Sequence, residues 1–188
     1  MSLTFANKIT VGRILAVPFL IVVLLYYSSE RDDLRYVALV VFLAAVVTDV
    51  IDGYIARTRH QKTRAGAILD PLADKLLLIS SFVCLYAIGP ALPVMRFPIW
   101  LVVAVISRDV ILLLGAAVIF MIHGDLKIEV SFWGKGTTFF QVLSAVGMLL
   151  QWPGSTIFWS MTFIFTIISG IDYIRQGIRV INVPSSGD

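Results

Sequence analysis

The sequence predicts an all-α protein that crosses a membrane six times, and three observations carry this prediction. Of its 188 residues, 59% are hydrophobic and only 14% are charged, whereas a soluble domain has about 25% charged residues. The apolar residues form six long runs, each close to the roughly 20 residues that a helix needs to cross a bilayer. Polar or proline-containing segments separate these runs. Water cannot solvate so much apolar surface on so short a chain, so lipid is the expected solvent.

Six candidate spans follow one another along the chain. They are Ile9–Ser29, Leu34–Arg57, Asp70–Gly89, Phe97–Ile122, Gly136–Trp152 and Ser155–Ile174. The charged turn Ser28–Asp33 ends the first span. Pro90 and Pro93 break the chain after the third, because proline lacks the N–H that a helix interior requires. Pro153 lies in the break before the last span, which completes the six.

The lysines and arginines predict how these spans are oriented. Most of the 15 lie on the side that holds both termini and the loop Arg57–Ala65. The opposite side holds only Arg31, Arg35 and Arg96. Because positively charged loops stay in the cytoplasm, we expect both termini there, with the protein in a bacterial inner membrane. Residues 1–181 are predicted to form one membrane domain, followed by a short tail over residues 182–188.

Four aspartates lie where a charge is costly, within the apolar helices. Asp49 and Asp52 are three residues apart, and Asp70 and Asp74 are four apart, so each pair shares a helix face. At about 1.5 Å rise per residue, Asp49 lies ~12 Å inside the Arg57 end of its helix. A carboxylate inside a membrane costs roughly 3 kcal/mol and is usually functional. These acids therefore mark the candidate active site.

A divalent metal resolves the repulsion that these acids would otherwise feel. The short loop between the second and third spans makes them antiparallel neighbours, so four carboxylates are predicted to converge. Unpaired anions in a low-dielectric cleft repel one another and take up protons. Oxygen ligands suit magnesium, manganese or calcium, and two ions about 4 Å apart form a clamp for phosphoryl chemistry. The structural alternative is salt bridging to Arg57, Arg59 or Lys75.

The acids belong to a longer pattern that resembles the signature of the CDP-alcohol phosphatidyltransferase family. That signature reads D-x2-D-G-x2-A-R-x8-G-x3-D-x3-D, and every fixed position and every gap is matched. The matching residues are Asp49, Asp52, Gly53, Ala56, Arg57, Gly66, Asp70 and Asp74. The pattern covers about a seventh of the chain, and looser similarity extends towards both ends.

The resemblance implies six transmembrane helices, a polar cavity that opens to the cytoplasm, and often a homodimer. It implies two metal ions, Mg²⁺ or Mn²⁺, on the four aspartates, with Asp74 as the general base. The residues that match the CDP-donor site are Asp49, Gly53, Ala56, Arg57 and Gly66. Small side chains at residues 53 and 56 would let a nucleotide approach the backbone closely. Close packing of helices explains them equally well.

The implied reaction moves a phosphatidyl group from CDP-diacylglycerol to an alcohol and releases CMP. Bound metal would neutralise the charge of the donor's pyrophosphate and make CMP a better leaving group. A carboxylate would take the proton from the acceptor hydroxyl. The expected partners are the two substrates, membrane lipids and a second copy of the chain, with no nucleic acid.

Three outer segments resemble the phosphatidylglycerophosphate synthase branch, whose acceptor is glycerol 3-phosphate. They begin at Asn7-Lys8-Ile9, Gly134-Lys135-Gly136 and Thr166-Ile167-Ile168. Because this acceptor is an anion, we expect basic residues to bind its phosphate. The candidates are Arg13, Arg108 and Lys135. The structural alternatives are that Arg108 only holds helices together and that Lys135 binds lipid headgroups.

The fourth span departs from that branch. It reads Ser107-Arg108-Asp109, where the branch reads A-R-E, and a second arginine two turns later is replaced by Gly115-Ala116-Ala117. Ser-Arg-Asp is more similar to the cardiolipin synthases of the same superfamily, whose acceptor is phosphatidylglycerol. Glycerol 3-phosphate is the preferred acceptor here, and phosphatidylglycerol is the alternative.

A small proton or cation transporter is the alternative from another functional class. A relay needs polar groups across the whole bilayer. The segments Ile79–Leu92 and Leu149–Ile168 carry no charged residue, and the acids cluster near one face. This distribution favours an enzyme.

Overall fold

The computed structural model describes residues 5–58, 64–123 and 131–182, and the regular structure in these ranges is entirely helical. Side chains of residues 5–11, 13, 52–58, 64–71, 116–123 and 177–182 lie outside the described part. The helices are α1 (Phe5–Leu25), α2 (Asp33–Thr58), α3 (Arg64–Ala87), α4 (Ile99–His123), α5 (Phe132–Leu149) and α6 (Ser155–Asn182), with a 3-10 turn at Gly89–Ala91. The predicted all-α class is confirmed.

Each predicted span overlaps one of the six α-helices, but the helix ends differ. α3 begins at Arg64, six residues before the predicted start, and α6 continues to Asn182 instead of ending at Ile174. The α3 extension begins with Arg64 and three small residues, and the α6 extension contains Arg175, Gln176, Arg179 and Asn182. Neither extension has the continuous apolar run by which hydropathy detects a membrane span. The earlier start places Gly66 and Asp70 inside α3.

Within the described residues, two helices are long and apolar enough to cross a bilayer. They contain the stretches Asp33–Ile51 of α2 and Ser155–Gln176 of α6. A shorter apolar stretch, Ile14–Leu25, lies in α1. Large apolar side chains such as Leu15 and Val40 are about two-thirds exposed, at 64% and 65%. Long apolar helices with exposed apolar faces are typical of a membrane protein, in which lipid covers those faces.

The chain divides into two compact units, and the first comprises Met1–Pro98 and Ala145–Ser155. Here α1 packs against both α2 and α3. The fully buried side chains include Leu24, Phe42 and Phe82, one from each helix. Phe82 also stacks on Phe97, with ring centroids 4.9 Å apart. Burial of these large side chains fixes the three helices around one apolar core.

Gln151 lies just after the end of α5 and makes hydrogen bonds within the first unit. Its φ of 53° lies in the left-handed region, as at the helix C-terminus of a Schellman motif. The side-chain Oε1 accepts hydrogen bonds from the backbone N–H groups of Val94 (3.0 Å) and Met95 (2.7 Å). Its Nε2 donates to the Met148 carbonyl at 2.7 Å. One buried side chain therefore ties the end of α5 to the segment that precedes α4.

Gln151→Asn is expected to lower thermal stability. Asparagine tolerates a positive φ, but its side chain is one methylene shorter, so the N–H groups of Val94 and Met95 lose their acceptor. A shielded donor without a partner costs about 1–3 kcal/mol. The measurement is Tm in detergent, where a fall of several degrees is expected. Ser160→Ala, at an exposed site on α6, is the control. Equal Tm values for both variants would show that the hydrogen bonds of Gln151 to Val94 and Met95 do not stabilise the fold.

The second unit comprises Ile99–Ser144 and Thr156–Asp188, and it buries small polar side chains. The buried polar residues of α5 and α6 here are Thr137, Gln141, Ser144, Thr162, Thr166 and Ser169. The hydroxyls of Ser144 and Thr162 hydrogen-bond at 2.8 Å. A Cβ at Gly136 would lie 2.6 Å from the Phe165 ring, so α5 and α6 approach closely there. Small residues and hydroxyl pairs of this kind hold helices together in membranes.

Candidate active site

Two of the four motif aspartates have described side chains. Asp49 lies on α2 and Asp74 on α3, and both are half-buried. Both helices pack against α1 in the first unit, so the two carboxylates belong to one compact body. Neither is free of interactions with neighbouring residues. Partial burial in an apolar bundle is the setting in which carboxylates are usually functional.

The other motif residues have side chains outside the described part. Asp52, Gly53, Ala56 and Arg57 fall on α2, whereas Gly66 and Asp70 fall on α3. Both helices are continuous through these positions, which the shared-face prediction requires. The convergence of four carboxylates and the donor contacts stay predictions.

The described donor set fits a hard divalent cation. Asp49 and Asp74 offer carboxylate oxygens, the ligands that Mg²⁺ and Mn²⁺ prefer. Among the side chains that the structure describes, no three His, Cys, Asp or Glu residues cluster around a possible metal position. Asp52 and Asp70 are not part of that set, so the predicted four-carboxylate site stays a prediction.

Arg108 is buried in the second unit, with its guanidinium bound on several sides. Its Nε and Nη2 donate to Ser169 Oγ at 3.1 and 2.6 Å, and its Nη1 donates to Asp109 Oδ1 at 2.6 Å. The Tyr173 ring covers one face, with its centroid 5.1 Å from Cζ. Asp109 is fully buried, and its Oδ2 accepts from Gln141 Nε2 at 3.4 Å. Residues of α4, α5 and α6 thus meet around one cation.

The predicted tie between helices is therefore present at Arg108. The buried pair with Asp109 offsets the desolvation of both charges, and the bonds to Ser169 join α4 to α6. A guanidinium has five N–H donors, and three hydrogen bonds use three of them. The helix tie leaves donors for an acceptor phosphate, and that contact stays a prediction.

The first turn of α5 lies against the same guanidinium. A Cβ at Gly134 would be 3.1 Å from Arg108 Nη2 and 2.5 Å from Tyr173 Oη. Lys135, the next residue, is exposed. Two of the three predicted acceptor-binding residues, Arg108 and Lys135, thus lie in the second unit. Gly134, which precedes Lys135, lies beside the Arg108 guanidinium. The third, Arg13, lies on α1 with its side chain outside the described part.

The contact roles of Ser169 and Tyr173 were not apparent from the sequence. One signal was available, because Thr162, Thr166, Ser169 and Tyr173 recur at spacings of four, three and four on an apolar helix. Such spacing forms one polar stripe, and polar groups inside a membrane bundle need partners. The stripe predicts that a partner exists but does not identify Arg108.

Sequence comparisons identify known proteins that are similar to this chain. The family model for CDP-alcohol phosphatidyltransferases matches residues 3–170, which span both compact units. A probable phosphatidylglycerophosphate synthase of Mycobacterium tuberculosis is 31% identical over 180 residues, covering 93% of this chain and 81% of that protein. A CDP-diacylglycerol–glycerol-3-phosphate 3-phosphatidyltransferase of Aquifex aeolicus is 31% identical over 185 residues, covering 93% and 96%. A CMP-forming cardiolipin synthase of Streptomyces coelicolor is 30% identical over 199 residues, covering 99% and 88%.

Proposed function

This chain belongs to the CDP-alcohol phosphatidyltransferase family, and from that membership we propose that it moves a phosphatidyl group from CDP-diacylglycerol to glycerol 3-phosphate. CMP is the second product. The observation that carries the proposal is the complete family signature from Asp49 to Asp74 on two continuous helices. The relative from Aquifex aeolicus is named for this reaction and is matched over nearly its whole length, which supports the choice of acceptor.

The donor site is assigned to α2 and α3. Its metal ligands are Asp49, Asp52, Asp70 and Asp74, which would hold two Mg²⁺ or Mn²⁺ ions. When bound, the metal supplies positive charge that offsets the negative charge of the donor's pyrophosphate. Gly53, Ala56 and Gly66 are assigned to the same site, where small residues would let the cytidine and its phosphates approach the helices closely. Arg57 adds a cation on the nucleotide side.

Asp74 is assigned the role of general base. Its half-buried carboxylate accepts the proton of the glycerol 3-phosphate hydroxyl as that oxygen attacks the phosphorus that bears the diacylglycerol. The new P–O bond forms, the P–O bond to CMP breaks, and CMP leaves with the electron pair. The proton then passes from Asp74 to water.

The acceptor phosphate is assigned to Arg13, Arg108 and Lys135. Two of these residues lie in the second unit, where the Arg108 guanidinium is already oriented by its neighbours. A second candidate acceptor is phosphatidylglycerol, which would make the protein a cardiolipin synthase. The sequence Ser107-Arg108-Asp109 and the relative from Streptomyces coelicolor favour that alternative.

The proposed setting is a bacterial inner membrane crossed by all six helices. Both termini and a polar cavity at the active site would face the cytoplasm, because most lysines and arginines lie on that side. Two such chains would form a homodimer. The lipid tails of the donor would stay in the bilayer while its headgroup reaches the aspartates.

The reaction is tested by supplying each acceptor separately. Purified protein receives CDP-diacylglycerol and Mg²⁺ with either glycerol 3-phosphate or phosphatidylglycerol, and lipid products are identified by mass. Phosphatidylglycerophosphate with stoichiometric CMP is the expected result. Cardiolipin as the only product would shift the function to the alternative acceptor. Absence of CMP with both acceptors would overturn the proposal in favour of a transporter.

Arg108→Lys is expected to raise the KM for glycerol 3-phosphate about ten-fold and leave the KM for CDP-diacylglycerol unchanged. Lysine keeps the charge beside Asp109 but lacks the planar fork of N–H donors, and one charge-assisted hydrogen bond contributes about 1.5–3 kcal/mol. Steady-state kinetics with each substrate varied provides the measurement. Arg96→Lys, at an exposed arginine, is the matched control. An unchanged acceptor KM would leave Arg108 with a purely structural role.

A further inference from the structure

We propose that Ser169, Asp109 and Gly134 are positioning residues that hold the Arg108 guanidinium in one orientation for the acceptor phosphate. The proposal rests on the function proposed above, in which Arg108 binds that phosphate. It adds the residues that determine how the arginine is presented. They come from three different helices of the second unit: α6, α4 and α5.

Ser169 fixes one edge of the guanidinium. Its Oγ accepts from both Nε and Nη2, at 3.1 and 2.6 Å, and the residue is fully buried on α6. Asp109 holds the other terminal nitrogen, Nη1, at 2.6 Å. Three of the five N–H donors are thereby used, which leaves one on each terminal nitrogen of Arg108. Two N–H groups on adjacent nitrogens suit the oxygens of a phosphate.

The faces of the guanidinium are restricted as well as its edges. The Tyr173 ring lies 5.1 Å from Cζ, within the range of a cation–π contact. On the α5 side, a Cβ at Gly134 would lie 3.1 Å from Nη2 and 2.5 Å from Tyr173 Oη. A side chain there would displace the ends of both residues. Glycine at this position therefore has a spatial reason, the close approach of α5 to Arg108.

Because Asp109 neutralises the charge of Arg108, the orientation of the Arg108 N–H groups determines how well a phosphate binds there. Asp109 is fully buried and neutralises the arginine at short range, so the pair carries no net charge. Gln141 Nε2 holds the second oxygen of Asp109 at 3.4 Å, which keeps that carboxylate in place. An incoming phosphate is then attracted mainly by directed N–H groups. Hydrogen bonds weaken steeply when misaligned, so a rotated guanidinium should bind the acceptor poorly.

Ser169→Ala is the first test, because it removes the oxygen that two N–H groups of Arg108 share. We expect the acceptor KM to rise about ten-fold with little change in kcat or in the donor KM. Ser169→Thr retains the hydroxyl and should restore most of the affinity. Ser144→Ala is the matched control, since it deletes a buried hydroxyl of α5 that bonds to Thr162 of α6 and is not bonded to Arg108. A purely structural Ser169 would behave like Ser144, changing Tm but not the acceptor KM.

Gly134→Ala tests the same orientation from the α5 side. Its Cβ should displace Arg108 and Tyr173 and raise the acceptor KM several-fold. Gly170→Ala is the control, because a Cβ at that helical glycine would meet nothing within 4 Å. Both Ser169→Ala and Gly134→Ala should lose their effect on the acceptor KM when Arg108 is already lysine, since they act through its guanidinium.

The outcomes separate this proposal from the function on which it rests. Suppose that Arg108→Lys raises the acceptor KM and that Ser169→Ala or Gly134→Ala raises it further by the same factor as in the wild-type background. The positioning role is then overturned and the function stands. If Arg108→Lys leaves the acceptor KM unchanged while CMP is still released, both positioning and the Arg108 contact are overturned. Loss of the Ser169→Ala and Gly134→Ala effects in the Arg108→Lys background supports positioning.

Discussion

Asp74→Asn is expected to lower kcat by about 10²–10⁴-fold, the usual contribution of a general base. Asparagine has nearly the same shape as aspartate, but its amide does not accept the proton of the attacking hydroxyl at neutral pH. Most donor binding should persist, because the other three motif aspartates are unchanged. The half-buried position of Asp74 on α3 makes this a change of chemistry with little change of packing.

CMP release under saturating substrates gives kcat for this variant, and CDP-diacylglycerol binding in detergent is measured separately. Asp33→Asn is the control, because Asp33 is an exposed acid in the first turn of α2 and lies outside the signature. The control should keep wild-type kcat. Full activity of Asp74→Asn would remove Asp74 from the role of base.

Removal of divalent metal is expected to abolish turnover. Charge stabilisation by a bound cation supplies several kcal/mol to phosphoryl transfer, so activity should fall by at least about 10³-fold in EDTA. Mg²⁺ or Mn²⁺ added in excess of the chelator should restore it. The control is EDTA already saturated with Mg²⁺, and Tm is recorded to separate loss of metal from unfolding. Turnover that survives chelation would contradict a site built on Asp49 and Asp74.

The helices were predictable because each apolar run has a physical boundary. Charged turns and prolines interrupt the runs, and the structure ends its helices near the same places, including α5 before the break at Pro153. The start of α3 at Arg64 was not predictable from hydropathy, since its first turn combines a charged residue, Arg64, with small residues and lacks a strong apolar signal. This turn becomes helical through backbone hydrogen bonds, which a hydropathy pattern does not register.

The candidate site was likewise predictable only in part. Asp49 and Asp74 were identifiable because a carboxylate in an apolar helix is costly without a function. The surroundings of Arg108 were not, because Ser169 and Gly134 lie 61 and 26 residues along the chain and meet it only through tertiary packing. A glycine that leaves room for a distant guanidinium has no local sequence signal.

The buried polar residues of α5 and α6 in the second unit argue against the transporter alternative. A relay would require polar groups open to passing ions across the bilayer. Ser144 and Thr162 instead hydrogen-bond to each other, and Thr137 donates to the Trp133 carbonyl at 2.9 Å. The first contact joins α5 to α6, as is usual for small polar residues in membrane bundles, and the second satisfies the Thr137 hydroxyl within α5.

In the proposed donor site, the acids of α2 and α3 hold a divalent metal at the pyrophosphate of the CDP donor. Mn²⁺ bound to the purified protein can be observed by electron paramagnetic resonance, and coupling to ³¹P reports phosphate in its immediate surroundings. We predict that CDP-diacylglycerol induces this coupling in the wild-type protein and that Asp49→Asn weakens or abolishes it. Mn²⁺ that binds equally to the wild-type protein and to Asp49→Asn, or that shows no ³¹P coupling with donor present, would contradict this assignment.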